Sequence, residues 1–482
     1  MRRLSFLRRL PAAAWACAAI AVVNGALWAA LVPAFQIPDE IDHAGYVQYV
    51  AERQDVPRPG QHAEYADDLA LAAGGVPFTV EGRPTWSPET SREVHRTLRA
   101  PLDSRPGGTG QAAVNNPPLY YLLAAVPYRL AADREYYDRL YVMRLLSALL
   151  AGVTVLFTFL FVRDVLPRTR WAWTVGALAV AFQPVFGFMS GGVNNDNLAY
   201  AAGAAVLFVV ARGLRRGLTP GVGAALGAAL LAGLLAKSSF LGMVPGALLA
   251  LGLMVWRSGP SRRRALLGAL TALLTLALPF GLWLVVNEHV FDRVATTTGG
   301  FASSAVEKEV SIREQISYLW QYFLPALPWM TAEMPADYPV WETYFQGFVG
   351  RFGWFQYGFP IWVNWVALGV FAALAALAGR AVALARPWRS GRWAEALAYA
   401  GILGGFVLFV NVAGYRYWTV NGAPFEQTRY LFPVLALWGL FVAVAARGAG
   451  PRWGSAVGGF LVVVLFGHSL FAMLLTLSRY YA

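Results

Sequence analysis

Four short stretches of the chain carry side chains able to do chemistry. Pro38–His43, PDEIDH, sets Asp39, Glu40, Asp42 and His43 within five positions. Carboxylates grouped beside apolar sequence repel and raise one another's pKa unless a cation intervenes, which suits a general base or a metal ligand. The same run also suits a solvated helix start, with acids near the positive end of the dipole. Gly191–Tyr200, GGVNNDNLAY, puts Asn194, Asn195, Asp196 and Asn197 in a row, more amide and carboxylate than one helix cap needs. Glu426–Leu435, EQTRYLFPVL, places Arg429 at the mouth of an apolar run. A guanidinium there either snorkels to the interface or grips phosphate oxygens bidentately. Lys237, one of two lysines in the chain, sits at another helix end and is placed to assist. Asn115–Ala125, NNPPLYYLLAA, has paired prolines that stiffen the turn before an apolar segment. A further stretch, Gly350–Pro360, GRFGWFQYGFP, is aromatic, and Trp354 and Phe355 suit the membrane interface belt.

Some chemistries find no support. Cys17 is the single cysteine and lies in an apolar run, so it has no disulfide or metal-ligating partner cysteine. Neither a P-loop nor a dinucleotide fingerprint occurs. If a divalent metal takes part, carboxylates and carbonyls favour Mg2+ or Mn2+, with Asp39 and Glu40 as ligands.

These residues need elements to position them, and composition says what kind. The 482 residues are 57% hydrophobic and 14% charged, with a mean hydropathy of +0.48, which makes an integral membrane protein. Runs near the ~20 residues that cross a bilayer recur at about 12–34, 141–162, 171–189, 198–212, 219–236, 239–256, 265–286, 361–379, 394–412, 430–446 and 455–477. They are rich in Ala, Leu, Val and Phe without strand alternation, so they are helices. Arg2, Arg3, Arg8 and Arg9 before the first run resemble a secretory signal, but its length favours an uncleaved span.

The formal net charge of +12 does not mark a nucleic-acid binder, because the basic residues cluster in short loops between spans. One segment decides the topology. Pro117–Ala132 is apolar but short, carries Pro127 and ends near Arg129. If it crossed, the arginines at 212–216 and 257–264 would fall outside. If it lies along the outer surface, the loops at 163–170, 212–216, 257–264, 380–392 and 447–452 all join the N-terminal arginines in the cytoplasm. The second arrangement predicts a single transmembrane domain over 1–482 with eleven spans and a cytoplasmic N-terminus. Two large extracytoplasmic loops follow, 36–139 and 287–360, and all four stretches face the same side as these loops. In the second loop, Ile312, Ile316, Leu319 and Phe323 share one face of an expected juxtamembrane helix.

The order of these motifs resembles the GT-C superfamily of membrane glycosyltransferases. More narrowly it is similar to a bacterial family of predicted membrane proteins of unknown function. The matching residues are Pro38-Asp39-Glu40 with His43, Pro117–Tyr121, Asn194–Ala199, Phe352–Trp354, and Arg429-Tyr430 with Pro433. They run across nearly the whole chain. One departure stands out: Thr428 occupies a position where the family often has glycine. The resemblance implies an all-α GT-C-like bundle in the plasma membrane and an acidic base or metal ligand at the start of the first outer loop. It also implies a donor sugar carried on a polyprenyl phosphate, and an acceptor glycan or lipid of the cell envelope. On that footing Asp39 or Glu40 takes the acceptor proton and Arg429, with Lys237 second, stabilises the departing lipid phosphate. His43, Asn195, Asp196 and Tyr430 hold the substrates. The alternatives are a transporter or flippase of lipid-linked glycans, whose charges belong nearer the bilayer midplane, and a non-catalytic scaffold.

Overall fold

The computed structural model describes residues 10–58, 64–74, 87–99, 108–291, 311–330, 339–386, 391–421 and 426–481. It is an all-α polytopic membrane protein, with a helix at every apolar run named above. Among the described residues, eight helical segments are long and apolar enough to cross a membrane, including Ala12–Leu31, Tyr136–Val165, Asp196–Arg216 and Gly454–Tyr481. Two more runs are bent pairs. Arg170–Ala181 meets Pro184–Ser190 at 63°, where Pro184 opens the second helix, and Thr428–Val434 meets Ala436–Gly448 at 72° beside Pro433. Counting each pair as one gives ten spans by length and composition, against the eleven expected. The remaining helix, Pro220–Ala236, has 17 residues. At about 1.5 Å per residue it measures about 25 Å, short of the ~30 Å hydrocarbon thickness. It packs along Asp196–Arg216 and Arg262–His289.

The segment that decided the topology is a 12-residue helix, Leu119–Leu130. At about 18 Å it is too short to cross. Tyr120, Tyr121 and Tyr128 bury one side, and it rests on helices Glu40–Arg53 and Tyr136–Val165.

The basic loops gather at one end of the bundle, held by ion pairs and carbonyls. Asp164 meets Arg212 at 3.7 Å and Arg216 at 2.5 Å, while Glu395 meets Arg215 at 2.8 Å and Arg392 at 3.0 Å. Arg215 and Arg392 both donate to the Val165 carbonyl, and Arg380 donates to that of Gly448. Trp256 packs edge-on against Trp393, which joins the remaining basic loop.

At the other end, the described residues of 36–139 form short helices, including Glu40–Arg53, Asp67–Gly74 and Pro88–Arg99. From the segment 287–360, helix Ile312–Phe323 leaves Ile312, Ile316, Trp320 and Phe323 exposed and buries Tyr318, Gln321 and Tyr322. A two-stranded antiparallel hairpin follows, pairing Arg351 with Gly358 and Phe352 with Tyr357.

Candidate functional site

The site begins where the first span ends. Asp39 is the residue before helix Glu40–Arg53 and holds φ 63°, a left-handed conformation that is uncommon for a residue with a Cβ. The turn sends the two consecutive acids to different partners. Glu40 is fully buried and its carboxylate lies against Arg144, with Nε to Oε1 at 2.8 Å and Nη2 to Oε2 at 2.6 Å. It also accepts the backbone N–H of Phe35 and of Val193, both at 2.9 Å. The same guanidinium donates to the carbonyls of Ala29, Val32 and Pro33, capping the end of the first span. Glu40 is thus a clamp between spans, with both oxygens occupied.

Asp39 faces the other way. Its Oδ2 accepts from Arg429 Nη2 at 2.5 Å, and its side chain is 26% exposed against 4% for Arg429. Arg429 lies in the 3-10 segment Thr428–Val434, which presses on helix Asp196–Arg216. Gly203 makes that approach possible, because a Cβ there would run into the Pro433 carbonyl. Arg429 Nη1 sits 3.9 Å from Asp196 Oδ2, and Asp196 Oδ1 in turn meets Lys237 Nζ at 2.5 Å. Lys237 occupies an extended break between helix Pro220–Ala236 and the 3-10 turn Ser238–Met243. Tyr430 receives both cations on its ring, Lys237 at 4.7 Å and Arg429 at 5.2 Å.

The result is a chain of alternating charge, Asp39, Arg429, Asp196, Lys237, drawn from four distant parts of the sequence. Thr428 donates to the Thr343 carbonyl, while its neighbour Arg429 turns to Asp39 and Asp196.

The asparagine run divides its labour. Asn194 Oδ1 accepts the Asp196 N–H at 2.8 Å, and Asn194 Nδ2 reaches the Pro38 carbonyl at 3.2 Å, tying the two motifs together. Asn195 Nδ2 donates to the Ala236 carbonyl at 2.8 Å, which fixes the chain just before Lys237. Asn197 binds the carbonyls of Met189 and Asn194. Several buried atoms here have no hydrogen-bond partner among the described residues: Asn195 Oδ1, Tyr200 OH and Arg429 Nε. Buried groups of that kind are costly to leave unsatisfied.

His43 lies one helical turn beyond Asp39, its Nδ1 2.8 Å from Tyr121 OH, and Tyr121 stacks on Tyr46 at 3.7 Å. Burial pushes the His43 imidazole down to about 4, so it is neutral at ordinary pH. Burial alone would raise the Asp39 carboxyl, but Arg429, with His43 and Lys237, holds it below the usual carboxylate range.

The structure therefore brings Asp39, His43, Asp196, Lys237, Arg429 and Tyr430 together, with Asn195 behind Lys237, and sets Glu40 apart. The candidate acids Asp39, Glu40 and Asp196 are each paired with a cation rather than gathered as a set of metal ligands. Asp39 and Asp196 meet Arg429 and Lys237, and Glu40 meets Arg144, so each already has a fixed cation. Among the described residues no three His, Cys, Asp or Glu side chains converge. Arg144 was not singled out from sequence, and Asn194 and Tyr121 were named there only as members of their motifs. Arg144 was findable: an arginine inside an apolar run demands a partner.

Comparison with known proteins gives a family and a distant likeness. A family described as predicted membrane protein, DUF2142, matches residues 22–438. No curated protein matches. Two crystal structures of ArnT from Cupriavidus metallidurans are similar at 16% identity. The one bound to undecaprenyl phosphate aligns with a TM-score of 0.49, covering 94% of this chain and 64% of that one. The apo structure aligns at 0.44, covering 91% and 60%. This chain thus spans less than two thirds of the length of either.

Proposed function

We propose, from the premise that the chain belongs to the DUF2142 family of predicted membrane proteins, that it is a GT-C-type glycosyltransferase. In this reading it moves a sugar from a polyprenyl phosphate to a glycan or lipid acceptor of the cell envelope. It is a multi-pass plasma-membrane protein with its N-terminus and basic loops in the cytoplasm. Residues 36–139 and 287–360 then face outward with the site. The gathering of basic loops at the end away from Asp39 supports that orientation.

The alternating cluster of Asp39, Arg429, Asp196 and Lys237 carries the proposal. Two fixed cations beside an ionised, partly exposed carboxylate meet the needs of transfer from a phosphate. The acceptor hydroxyl oxygen attacks the anomeric carbon, and its proton passes to Asp39. The bond from that carbon to the phosphate oxygen breaks, and its electron pair leaves on the lipid phosphate. Arg429 and Lys237 stabilise that charge as it develops. Asn195, Asp196, His43 and Tyr430 orient the reacting groups. Glu40 is assigned the task of holding the loop through Arg144 rather than a share in proton transfer.

A groove of about 520 Å³ supports the same reading. It is apolar, lined by Tyr344, Phe345, Phe348, Phe371, Leu431 and Trp438 among others, and reaches Thr428, next to Arg429. A prenyl chain lying in it would reach Thr428, the residue before Arg429.

The test is turnover by the purified protein in nanodiscs, supplied with short-chain polyprenyl-phosphate hexoses and pentoses and with envelope glycan acceptors. Acceptor-dependent release of polyprenyl phosphate, lost in Asp39→Asn, is expected. Movement of an intact fluorescent lipid-linked glycan between leaflets, without bond cleavage, would replace this reading with a transporter.

A further inference from the structure

The hairpin Arg351–Gly358 has no part in the reaction given above, yet its tip touches the base. We propose that Trp354 is the platform on which the donor's sugar ring stacks, a role that rests on the glycosyltransferase reading. The hairpin is anchored at its root. Phe352 is fully buried and packs on Trp28 at 5.8 Å, Phe188 at 5.4 Å and Tyr357 at 5.4 Å. Its turn is unusual. Gly353 has φ 62° and Phe355 has φ 66°, so the residues on both sides of Trp354 are left-handed. Gln356 N–H closes the turn onto the Phe352 carbonyl at 3.1 Å, and the Arg351 guanidinium lies over the Phe355 ring at 5.7 Å. A rigid root and a constrained tip fix where the indole points.

It points at Asp39. The indole Nε1 donates to Asp39 Oδ1 at 3.4 Å, while Oδ2 of the same carboxylate holds Arg429. Trp354 is nevertheless 38% exposed. One edge of the ring system is therefore tied to the base, while over a third of the residue's surface stays accessible. An indole is a large, flat, rigid surface with a single polar edge, and the C–H face of a pyranose is its natural partner. A sugar lying on the open surface would have its anomeric carbon beside Asp39 and its phosphate towards Arg429 and Lys237. Membrane-interface anchoring accounts for an exposed tryptophan. It does not account for an N–H aimed at the carboxylate that Arg429 holds, nor for a phenylalanine kept at positive φ, which usually marks a functional constraint.

Direct binding measurements separate the platform from a merely structural tryptophan. Wild type, Trp354→Phe and Trp354→Ala are each titrated with a short-chain polyprenyl phosphate bearing no sugar. The titration is repeated with hexosyl and pentosyl esters of the same lipid, and the melting temperature is recorded for every variant. The bare lipid phosphate should bind all three proteins alike. The glycosyl ester should bind about tenfold more weakly to Trp354→Ala, with most of the affinity restored in Trp354→Phe, which keeps a stacking face. Equal donor affinity in wild type and Trp354→Ala overturns the platform. So does a parallel loss for bare phosphate and donor, which would make the hairpin a support for Arg429. Wild type that binds no glycosyl ester at all would overturn the glycosyltransferase reading, and the platform with it.

Discussion

Asp39 and Arg429 are 390 positions apart in the chain and 2.5 Å apart in space. Their contact joins the segment after the first span to the bent segment Thr428–Val434, and in the proposed reaction it decides which acid takes the proton. Glu40, one residue on, is spent on Arg144, Phe35 and Val193. Two neighbouring carboxylates thus have opposite assignments, one at the opening and one in the interior.

That contrast predicts opposite phenotypes. Asp39→Asn keeps the shape of the side chain but cannot accept the acceptor proton, and loss of a general base costs about 10²–10⁴-fold in rate. Its melting temperature should stay near wild type, since Arg429 keeps Asp196 as a counter-charge. Glu40→Gln leaves the Arg144 guanidinium buried without its counter-charge, a break that costs about 3–5 kcal/mol. It should fold poorly or melt early, with any folded fraction turning over. Thermal melts beside turnover measure both, and a stable but inactive Glu40→Gln would return the base role to Glu40.

The buried His43 makes stability depend on pH. Its imidazole titrates at about 4 in the fold and near 6.5 when unfolded. Between those values the unfolded chain binds the extra proton, so stability rises with pH across the window. It is complete above about 6.5 and falls away as the pH drops towards 4, by up to about 3 kcal/mol. Asp39, whose carboxyl titrates below its ordinary range, begins to lose its contribution only at the acidic end. Melting temperature followed from pH 7 to 4 should therefore decline in wild type and decline less in His43→Gln. Matching curves for the two proteins would mean that His43 is readily protonated in the fold.

Much of this was legible in the sequence, and the limits have physical causes. The apolar runs were readable because a span must satisfy its backbone internally, so length and composition suffice. The count was less so, since Pro220–Ala236 falls short and two runs bend at proline-marked breaks. Asp39, Asp196, Lys237 and Arg429 were named one by one from their types and positions. Their contact could not be read, because it depends on which side of Asp39 the chain turns. Nothing in PDEIDH announces a left-handed aspartate. Nor does periodicity reveal that Trp354 reaches back across the chain to the first loop.

Orientation has its own test. With Cys17 replaced, a single cysteine at Thr90, which is exposed among the outward helices, should react with an impermeant thiol reagent in intact cells. A cysteine at Ser261, exposed beside Arg262, should react only after permeabilisation. The reverse pattern would place the charge cluster in the cytoplasm and remove the lipid-linked donor from its reach.

The last prediction follows from competition for one guanidinium. In the structure Arg429 is shared by Asp39 at 2.5 Å and Asp196 at 3.9 Å, so an arriving phosphate must draw it from a carboxylate. Asp39 is the more exposed of the two and the more easily displaced. A charge-assisted contact to phosphate is worth about 1.5–3 kcal/mol, or about ten- to a hundredfold in affinity. Arg429→Ala should therefore weaken polyprenyl-phosphate binding at least about tenfold, and Arg429→Lys should recover only part of it, because an ammonium cannot reproduce the planar fork. Asp39→Asn should move the other way. It removes the competing anion while leaving the fork in place, so the lipid phosphate should bind more tightly even as turnover is lost. In the double variant Asp39→Asn with Arg429→Ala the gain should vanish, since there is no guanidinium left to compete for. Isothermal titration of the four proteins with one short-chain polyprenyl phosphate closes that cycle. If Asp39→Asn tightens binding equally with and without Arg429, the two residues do not compete. Asp39 would then act only by repelling the phosphate.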